Sequence, residues 1–583
     1  MRQCNESTFS ANDGTPVFYR HWPAGTGTGD RAIVLLHRGH EHSGRMRHLV
    51  DELNLPNYAF FAFDARGHGR SPGRRGCAPG IGAMVEDLDT FVREVIIPQG
   101  IPVENLAIVA QSVGSVIAAT WVHDYAPNIR CMVLGAPAFR IKLYVPFARP
   151  ALAILQKVFG DFTVQSYVKP EYLTHDRVRI ADFKSDPLIT RAISVKVLLD
   201  LHATAARVVS DAAAIQTPVQ LLISGCDRVV RRQPQLEFFE RLGSSTKELC
   251  ELKGFLHDTL GERDRQVAVG KARSFILKNF SQPGEHPSLL NADRRGPTCK
   301  EFERLSRPLN PLSPRTIGFG LVKIGIKIGA RLSDGIRLGA ETGFDSGGTL
   351  DYVYRNHASG ITPLGKLIDR SYLNSIGWRG IRIRKQNLER LLVRVIEDLH
   401  ASSRPLRIVD IAAGHGRYVL DAVGGRIKIA DRILLRDFSS ANIDRASALI
   451  TQRGLAGQAR AEHGDAFDRA SLAAIEPRPT VGVVSGLYEL FPENRAIQES
   501  LAGLADIIQP GGYLIYTGQP WHPQLELIAR TLRSHRNNAP WIMRRRTQAE
   551  LDQLVEAAGF QKIDQLTDDW GIFTVSLAQR KAA

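Results

Sequence analysis

Short runs of apolar residues alternate with helical patterns along the first half of the chain. The runs are rich in β-branched and aromatic side chains, are bounded by turn residues, and occupy positions 32–36, 58–63, 106–110, 131–134 and 219–223. Continuous apolar runs of this length are typical of parallel strands buried on both faces. The pattern therefore predicts an α/β domain over residues 1–280, with helices on both sides of a parallel sheet.

Two segments interrupt this alternation. Residues 139–205 carry aromatic and long aliphatic side chains between two predicted strands. We interpret them as a helical cap inserted into the domain, although additional scaffold helices would give the same pattern. Residues 281–315, which include Pro283 and Gly284, contain repeated prolines and few periodic apolar positions. That composition predicts a linker between two domains.

A second α/β pattern follows the predicted linker. It places a helical part over residues 316–402 and a sheet domain over residues 403–583, with strands at 407–412, 432–437, 480–485, 512–517, 561–566 and 571–577. The length of 583 residues supports two domains, because single hydrophobic cores stop growing at roughly 250–300 residues.

Composition narrows the class of protein but selects no partner. With 43% hydrophobic and 23% charged residues, the chain is neither disordered nor collagen-like. Six cysteines without a C-x-x-C pair indicate a reducing compartment and argue against zinc. No segment reaches the roughly 18 apolar residues of a membrane helix, and the start lacks a signal-peptide pattern. We therefore expect a cytoplasmic protein. The net charge of +15 permits contact with anionic lipid or nucleic acid, but it is spread along the chain.

A strand, a tight turn and a helix place Ser112 at a corner. Ala110 and Gly114 flank it, and small residues are needed there because the strand and the helix approach closely. The usual pattern is G-x-S-x-G, so Ala110 departs from it. Short patterns of this kind recur by accident, and Ser112 is a candidate nucleophile only if its partners are present.

An acid and a histidine follow Ser112 in the expected order. Asp227 comes just after the run at 219–223, and His257 lies in a loop thirty residues later. A histidine must take the serine proton, and a carboxylate must orient that histidine. We predict a triad of Ser112, Asp227 and His257, with Asp258 in a structural role. The alternative for Asp227 is a surface loop aspartate.

Backbone amides are predicted to bind the oxyanion. We assign the amide of Val113 and that of Gly39, since glycine lets the backbone approach a substrate. The same turn contains His37, His40 and His42, which could suggest a metal cluster. No acidic ligand pattern accompanies them, so hydrogen-bonded loop histidines are the favoured interpretation and no metal site is predicted.

These residues together resemble the monoacylglycerol lipase and serine aminopeptidase S33 group of α/β-hydrolases. The resemblance covers residues 6–280 and rests on the motif H-x-G-x-E-H-S-G-R at 37–45, the stretch at 63–71, the corner at Ser112, and Asp227 with His257. It implies a serine enzyme that hydrolyses esters under a mobile cap. Arg38 stands where glycine usually follows the histidine. It could crowd the acyl site or bind an anionic head group, and the latter would favour a lysophospholipid-like substrate.

A glycine-rich turn follows the first strand of the second half. Asp410, Ala412, Gly414 and Gly416 form the pattern D-x-A-x-G-x-G. The glycines let the backbone pass close under a nucleoside, and a small residue at 412 avoids a clash. A dinucleotide fingerprint would have a third glycine where this chain has Val419. The pattern therefore favours S-adenosylmethionine over a nicotinamide cofactor.

Later strand ends extend this predicted cofactor site. Asp437 ends the second strand, where it would accept hydrogen bonds from ribose hydroxyls. Asp465 and Ala466 follow the third strand, where an adenine amino group would lie, although Asp465 could equally be a turn aspartate. Ser485 ends the fourth strand.

Three residues near these strand ends are candidates for the acceptor side: Tyr488, Glu489 and His522. Residues 544–546 are three consecutive arginines that look like a phosphate site. They more plausibly flank a helix start, because the four residues that follow form a capping box.

The second half resembles class I S-adenosylmethionine-dependent methyltransferases over residues 403–578. The segments at 343–355, 376–382 and 518–525 further resemble a bacterial methyltransferase family that is often fused to an α/β-hydrolase. The resemblance implies a serine esterase or lipase joined to a Rossmann-like methyltransferase that acts on a small-molecule or lipid acceptor. The alternative is a methyltransferase whose hydrolase fold only binds lipid. We expect no nucleic-acid partner, because basic and aromatic residues are not interleaved.

A basic amphipathic pattern occupies residues 320–338. Lys323, Lys327 and Arg331 share one helical face, beside a stripe of aliphatic residues. Such a helix can lie on an anionic membrane. The glycines in this segment weaken a free helix, so a helix packed on the second domain is favoured, and peripheral membrane contact stays as the alternative.

Overall fold

The chain divides into two compact units. The computed structural model describes residues 2–27, 29–282, 287–424 and 430–581. Unit 1 spans Met1–Pro287 and unit 2 spans Ser288–Ala583. Each unit has a large sheet and hydrophobic clusters of its own. Pro283 and Gly284 of the predicted linker lie outside the described residues.

Unit 1 is built on an eight-stranded sheet with the order β1-β2-β4-β3-β5-β6-β9-β10. Strand β2 is antiparallel to both of its neighbours, and the remaining pairs are parallel. The strands, including the short ribbon β7–β8, are β1 (Asn5–Ser10), β2 (Pro16–Trp22), β3 (Ala32–Leu36), β4 (Ala59–Phe63), β5 (Leu106–Gln111), β6 (Cys131–Gly135), β7 (Thr163–Gln165), β8 (Ala192–Ser194), β9 (Val219–Ser224) and β10 (Lys247–Leu252).

The five predicted apolar runs are the five central strands, β4, β3, β5, β6 and β9. Every residue of these strands is buried, because helices cover both faces of the sheet. The helices are α1 (Arg47–Glu52), α2 (Ile81–Phe91), α3 (Val113–Tyr125), α4 (Ala148–Phe159), α5 (Arg177–Ser185), α6 (Val195–Ser210), α7 (Arg232–Arg241) and α8 (Gln266–Ser281).

The segment interpreted as a cap is inserted between β6 and β9. It contains α4, α5, the start of α6 and the two-stranded ribbon β7–β8. The sequence pattern did not predict this ribbon, because three-residue strands are too short to give a periodic signal.

Unit 2 contains a seven-stranded sheet with the order β13-β12-β11-β14-β15-β17-β16. Its strands are β11 (Leu406–Asp410), β12 (Ala430–Asp437), β13 (Ala459–His463), β14 (Val481–Val484), β15 (Tyr513–Gly518), β16 (Phe560–Thr567) and β17 (Thr574–Arg580). Only β17 is antiparallel to its neighbours. The order reverses beside β11, and ligands of open α/β sheets bind at such a switch point.

The helices of unit 2 begin inside the predicted linker. They are α9 (Pro297–Ser306), α10 (Pro314–Gly329), α11 (Asp334–Thr342), α12 (Gly347–Arg355), α13 (Pro363–Leu373), α14 (Ile376–Ala401), α15 (Arg417–Val423), α16 (Ser440–Gln452), α17 (Arg469–Ala473), α18 (Asn494–Ile507), α19 (Leu525–Thr531) and α20 (Gln548–Ala557). Among the described residues, no helix is long and apolar enough to cross a membrane.

Two expectations about this region are wrong. The predicted linker over 281–315 includes residues that belong to unit 2. The Leu289 amide donates to Gln553 Oε1 at 2.7 Å, and α9 packs on α19. Pro297 and Pro314 begin helices, where a missing N–H costs nothing, and they do not mark a loop. The single helix over 320–338 is two helices, since α10 ends at Gly329 and α11 follows the cap residue Ser333.

Candidate active sites

Ser112 occupies a strained corner between β5 and α3. Its φ is 55° and its ψ is −113°, a conformation that a residue with a side chain seldom adopts. A Cβ on Gly114 would lie 2.7 Å from the carbonyl oxygens of Leu36 and His37, so the corner admits only glycine there. Ala110 is fully buried in β5, and the corner forms although it is not glycine.

Ser112, His257 and Asp227 form a continuous chain of hydrogen bonds. The distance from Ser112 Oγ to His257 Nε2 is 2.8 Å, and that from His257 Nδ1 to Asp227 Oδ2 is also 2.8 Å. All three side chains are at most 7% exposed. With its Nδ1 proton donated to Asp227, the imidazole presents an unprotonated Nε2 to the serine hydroxyl.

The Asp227 carboxylate is held in its charged form. Its Oδ1 accepts the amides of Val229 and Val230 at 2.7 and 2.9 Å. Burial alone would raise the pKa of Asp227. The adjacent His257 and these two amides outweigh burial and hold the pKa below its ordinary value.

The two predicted oxyanion donors lie next to each other beside the serine. A Cβ on Gly39 would lie 3.2 Å from Val113 Cγ2, and both residues line the same cavity as Ser112. Within the described part of the chain, neither amide donates to another protein group. The pair is therefore available to a substrate oxygen.

The three histidines of the turn after β3 do not meet around a metal. His37 donates from Nδ1 to the Arg38 carbonyl and accepts the Ala65 amide at Nε2. His42 pairs with Asp186 at 2.9 Å. Burial lowers the pKa of His40 to about 4. No group of three potential metal ligands occurs among the described residues.

Arg38 lines the cavity that contains Ser112, and its guanidinium is ion-paired inside the protein. Its guanidinium makes a two-point ion pair with Glu41 at 2.5 and 2.8 Å. It also lies 4.0 Å from Asp258 and is only 4% exposed. Arg38 shares both acidic partners, because Glu41 also pairs with Arg45 and Asp258 also pairs with Arg179. Crowding of the acyl site and binding of an anionic head group therefore stay predictions.

A buried brace that the sequence analysis missed connects the serine corner to the histidine loop. Gln111 Nε2 donates to Asp258 Oδ1 at 2.8 Å and to the His257 carbonyl at 3.3 Å. Asp258 Oδ2 accepts Arg179 of α5 at 3.1 and 3.2 Å. Burial raises the pKa of Asp258, but Arg179 and Arg38 outweigh it and hold the pKa below its usual range. A polar Gln111 at the end of an apolar strand was the available signal.

A cavity of about 500 Å³ opens onto Ser112 and His257. We refer to it as the unit 1 cavity. Most of its wall is aliphatic and comes from the cap and α6, including Leu143, Leu152, Val164, Ile193, Val197 and Leu201. The space beside the serine is therefore suited to an apolar chain.

In unit 2, the glycine-rich loop at residues 411–416 lies at the switch point of the sheet. Gly414 has φ 55° and Gly416 has φ 66°. A Cβ on Gly416 would lie 2.3 Å from Leu435 Cδ1. The Ala412 amide donates to Asp410 Oδ1 at 3.2 Å, and the Gly414 amide donates to Asp437 Oδ2 at 2.8 Å. The loop is thus anchored by the acids at the ends of two neighbouring strands.

Asp410 is completely buried at the end of β11. Among the described residues, its Oδ2 has no hydrogen-bond partner. Burial, together with the charge of Asp437, raises the pKa of Asp410 to about 7. The neighbouring Tyr418 hydroxyl offsets part of this rise. The cavity at the loop is lined by Ala412, Gly414 and Ser485, among others, and Asp410 supports this wall through the Ala412 amide.

Asp437, Asp465 and Ser485 lie along the same edge of the sheet. Asp437 also accepts the Ser439 amide at 2.9 Å, which fixes its carboxylate. Asp437 is the register partner of His463, so Asp465 follows two residues beyond that pair. Asp465 Oδ1 accepts the Phe467 amide at 2.9 Å, as a turn aspartate does. Ser485 lines a cavity with Gly414 and Gly416, while Ala466 is buried in the core beside Asp465.

Two of the three acceptor-side candidates line a second, larger cavity, called here the unit 2 cavity. Its volume is about 510 Å³, and Glu489 and His522 belong to its wall. His522 accepts the Gln524 amide at Nδ1, and burial lowers its pKa to about 4. Tyr488 was wrongly assigned. Its side chain packs into the core under α18, and its hydroxyl lies 3.1 Å from Ser500 Oγ.

The arginines at 544–546 are structural. Arg544 pairs with Glu550 at 2.8 Å and is 1% exposed. Arg546 donates to the Tyr488 carbonyl, and Thr547 caps α20 by accepting the Glu550 amide. The interpretation as a helix start is confirmed, and a phosphate site is excluded because the side chains are committed to protein partners.

Family models match both units. The model described as "Putative methyltransferase" matches residues 272–580, and the model described as "Serine aminopeptidase, S33" matches residues 27–264. The chain is also 53% identical over 576 residues to the Uncharacterized protein YnbC of Escherichia coli, covering 99% of this chain and 98% of that protein.

Two further comparisons concern unit 1 alone. The monoacylglycerol lipase of Mycolicibacterium smegmatis is 24% identical, covering 47% of this chain and 98% of that protein. The solved structure of the Paleococcus ferrophilus monoacylglycerol lipase aligns with a TM-score of 0.40 at 22% identity, covering 48% of this chain and 99% of that one. The chain belongs to the family described as "Putative methyltransferase", and it carries in front of the matching region an α/β-hydrolase domain of the serine aminopeptidase S33 family.

Proposed function

We propose that unit 1 is a serine hydrolase that cleaves carboxylic esters of apolar acids. The observation that carries the proposal is the hydrogen-bonded chain from Ser112 through His257 to Asp227. A hydrolase fold that only bound lipid would have no need of this alignment. The free amides of Gly39 and Val113 beside the serine support catalysis further.

The steps follow from the geometry. His257 Nε2 takes the proton of Ser112 Oγ as that oxygen bonds to the ester carbonyl carbon. The carbonyl oxygen becomes negative and accepts hydrogen bonds from the two amides. The bond to the alcohol then breaks, and the alcohol leaves with the proton from His257. Water repeats the sequence on the acyl-serine and releases the acid.

The unit 1 cavity supports a substrate with an apolar acyl chain. Its wall is largely aliphatic, and the guanidinium of Arg38 in that wall is ion-paired with Glu41. The proposed substrate class is a neutral lipid-like ester, in keeping with the similarity of this unit to a monoacylglycerol lipase.

A serine-to-alanine pair tests unit 1. Ser112→Ala should abolish hydrolysis of short-chain p-nitrophenyl esters and labelling by a fluorophosphonate probe. Ser115→Ala is the matched control, because Ser115 lies in the first turn of the same helix and its Oγ is directed to the Gly135 carbonyl. Unchanged hydrolysis in Ser112→Ala would overturn the proposed triad.

We further propose that unit 2 transfers a methyl group from S-adenosylmethionine. When bound, this cofactor supplies an electrophilic methyl group on a positively charged sulfur. The glycine-rich loop would pass under the nucleoside, Asp437 would accept from the ribose, and Asp410 would hold the loop through the Ala412 amide. The argument rests on the glycine-rich loop at the switch point of the sheet, anchored by Asp410 and Asp437.

Calorimetric titration tests unit 2. The full chain should bind S-adenosylmethionine, and both Asp437→Ala and Gly414→Val should weaken binding. Asp421→Ala is the control, since Asp421 lies on α15 and pairs with Lys385 and Arg453 outside the loop. A full chain that binds no S-adenosylmethionine would remove the assignment.

A further inference from the structure

The unit 2 cavity adjoins the glycine-rich loop. Leu350 and Arg384 line both this cavity and the smaller one that contains Gly414 and Ser485. Gly486, the next residue after Ser485, belongs to the wall of the larger cavity. A molecule in the unit 2 cavity would therefore lie next to whatever the glycine-rich loop binds.

The wall of this cavity is mostly apolar and aromatic. It includes Ile326, Ile336, Phe344, Trp378, Trp541 and Phe573. The rings of Trp378 and Trp541 lie nearly parallel, with centroids 6.4 Å apart. Such a wall favours an apolar ligand and disfavours a nucleotide or a sugar, whose polar groups would be left without partners.

One part of the wall is polar and incompletely satisfied. Arg384 and Gln519 are 3% and 4% exposed, and among the described residues Arg384 Nε and Gln519 Nε2 have no acceptor. The carboxylate of Glu489 lies nearby, with Oε1 3.6 Å from Arg384 Nη1. This end of the cavity thus combines unpaired donors with one acceptor.

A hydroxyl group is the complement of such an end, because it accepts one hydrogen bond and donates another. A carboxylate would accept from Arg384 and Gln519, but it would face the negative charge of Glu489. An ammonium would pair with Glu489, but it has no lone pair to accept hydrogen bonds from Arg384 and Gln519.

We propose that the unit 2 cavity is the acceptor site, and that the acceptor is an apolar molecule ending in a hydroxyl. The proposal rests on the methyltransferase assignment made above. The hydroxyl oxygen forms the new O–CH₃ bond as the S–CH₃ bond breaks, and its proton passes to Glu489. The products are a methyl ether and S-adenosylhomocysteine, and Glu489 returns its proton to water.

Binding of 1-decanol, followed by tryptophan fluorescence of the full-length Ser112→Ala variant, tests the site. Trp378 and Trp541 line the unit 2 cavity, whereas the described residues that line the unit 1 cavity include no tryptophan, so the part of the signal that Ile336→Glu removes reports on unit 2. Ile336→Glu should weaken decanol binding at least tenfold. Leu338→Glu is the control, because Leu338 lies on the same helix with similar exposure but outside the cavity wall. Gln519→Leu should weaken decanol but not decane.

The outcomes separate the two proposals. Saturable decanol binding that depends on Ile336 and Gln519 supports the acceptor site. A chain that binds S-adenosylmethionine but not decanol overturns the acceptor class and leaves the methyltransferase assignment standing. Equal weakening of decanol and decane by Gln519→Leu overturns the hydroxyl. A chain that binds no S-adenosylmethionine removes the methyltransferase assignment and, with it, this inference.

A different observation carries a second proposal. Ile317, Leu321, Ile324 and Ile328 of α10 recur every three or four residues and are 60%, 65%, 55% and 55% exposed. They form one apolar strip along the helix, called here the α10 strip. Leu364 of α13 is 59% exposed and extends the apolar surface. Helix α13 approaches the end of α10 at Gly329, where an added Cβ would lie 3.9 Å from Ile368 Cγ2.

Basic residues surround the α10 strip. Lys323 and Lys327 are exposed on α10, and Lys366 is exposed on α13. In the described part of the chain, none of the three lysines forms an ion pair. An apolar strip with unpaired cations at its sides is complementary to a lipid surface that carries anionic head groups.

We infer that the α10 strip docks on an anionic membrane surface. The full chain should sediment with vesicles of mixed phosphatidylglycerol and phosphatidylcholine, and less with pure phosphatidylcholine. Leu321→Asp and the double variant Lys323→Glu/Lys327→Glu should each reduce sedimentation about tenfold. Val267→Asp is the control, because Val267 is 53% exposed on α8 of unit 1.

Three results would overturn this docking surface. They are sedimentation that does not depend on anionic lipid, loss of sedimentation in Val267→Asp but not in Leu321→Asp, and a dimer in solution that Leu321→Asp dissociates. The last result would identify the α10 strip as a contact between two copies of the chain.

Discussion

The two sites differ in how far the protein alone completes them. In unit 1, the polar atoms of Ser112, His257 and Asp227 are paired with one another, and each proton has a defined place. Among the described residues of unit 2, Arg384 Nε and Gln519 Nε2 are buried without hydrogen-bond partners. When the protein supplies the nucleophile, the hydrogen bonds that activate it must already be made within the protein. A transfer between two bound molecules instead requires buried polar groups that find their hydrogen-bond partners only when the molecules bind. The predictions below test this contrast.

The largest effect is expected when the Asp227 carboxylate of the triad is replaced by a neutral amide. Asp227→Asn removes the negative charge that fixes the Nδ1 proton of His257, so kcat for ester hydrolysis should fall about 10⁴-fold. Steady-state kinetics with p-nitrophenyl butyrate measures the loss. The exposed Asp264→Asn should retain wild-type kcat. A decrease of less than tenfold in Asp227→Asn would show that the acid is not part of the relay.

A smaller effect is expected when Gln111, which holds the histidine loop through Asp258 and the His257 carbonyl, is replaced. Gln111→Leu removes the hydrogen bonds to Asp258 and His257 without touching the substrate, and kcat should fall up to about 10²-fold while KM changes little. Gln111→Glu would bring two carboxylates together and should lower kcat further. If Gln111→Leu raised KM alone, Gln111 would be a substrate contact and not a positioning residue.

The unit 2 site should respond to pH, because Asp410 titrates near neutrality. Its pKa is raised to about 7, so at pH 6 the carboxyl is mostly protonated, whereas a cation bound at the adjoining loop favours the ionised form. The affinity for S-adenosylmethionine should therefore rise about tenfold from pH 6 to pH 8. Calorimetry in buffers of different ionisation enthalpy should detect the released proton. In Asp410→Asn both the pH dependence and the proton release should disappear.

The smallest effect concerns the unusual residue of the serine corner. Ala110→Gly restores the common pattern but adds chain entropy inside a buried strand, so the free energy of unfolding should fall by about 0.5–1 kcal/mol. Hydrolysis should be unchanged, because the corner already forms with alanine. Denaturant unfolding together with kcat measures both quantities. A large gain in kcat would show that Ala110 distorts the site.

The sequence predicted what depends on local pattern and chain order. The buried central strands, the serine corner and the order of serine, acid and histidine all follow from short motifs that the structure brings together. The glycine-rich turn and Asp437 were found in the same way, since strand ends at a switch point are recognisable from the pattern of runs.

What depends on tertiary contact was missed or misplaced. Gln111 and Asp258 are separated by 147 residues, and their hydrogen bond follows only from the packed fold. Tyr488 was misplaced because a 3₁₀ turn after β14 directs its side chain into the core. The linker was overestimated because prolines at helix starts and prolines in loops look alike in a sequence.

The hydrogen bonds between Asp258 and Arg179 restrict how the cap can be re-engineered. Arg179 belongs to α5 of the cap, whereas Asp258 adjoins the histidine of the relay. A cap transplanted from another esterase to broaden substrate choice would remove the Arg179 cation. The buried Asp258 carboxylate beside His257 would then keep only the Gln111 hydrogen bond and the more distant Arg38. We therefore expect an exchanged cap to preserve activity only when the incoming segment again supplies an arginine at this position. The rest of the cap can be replaced more freely than α5.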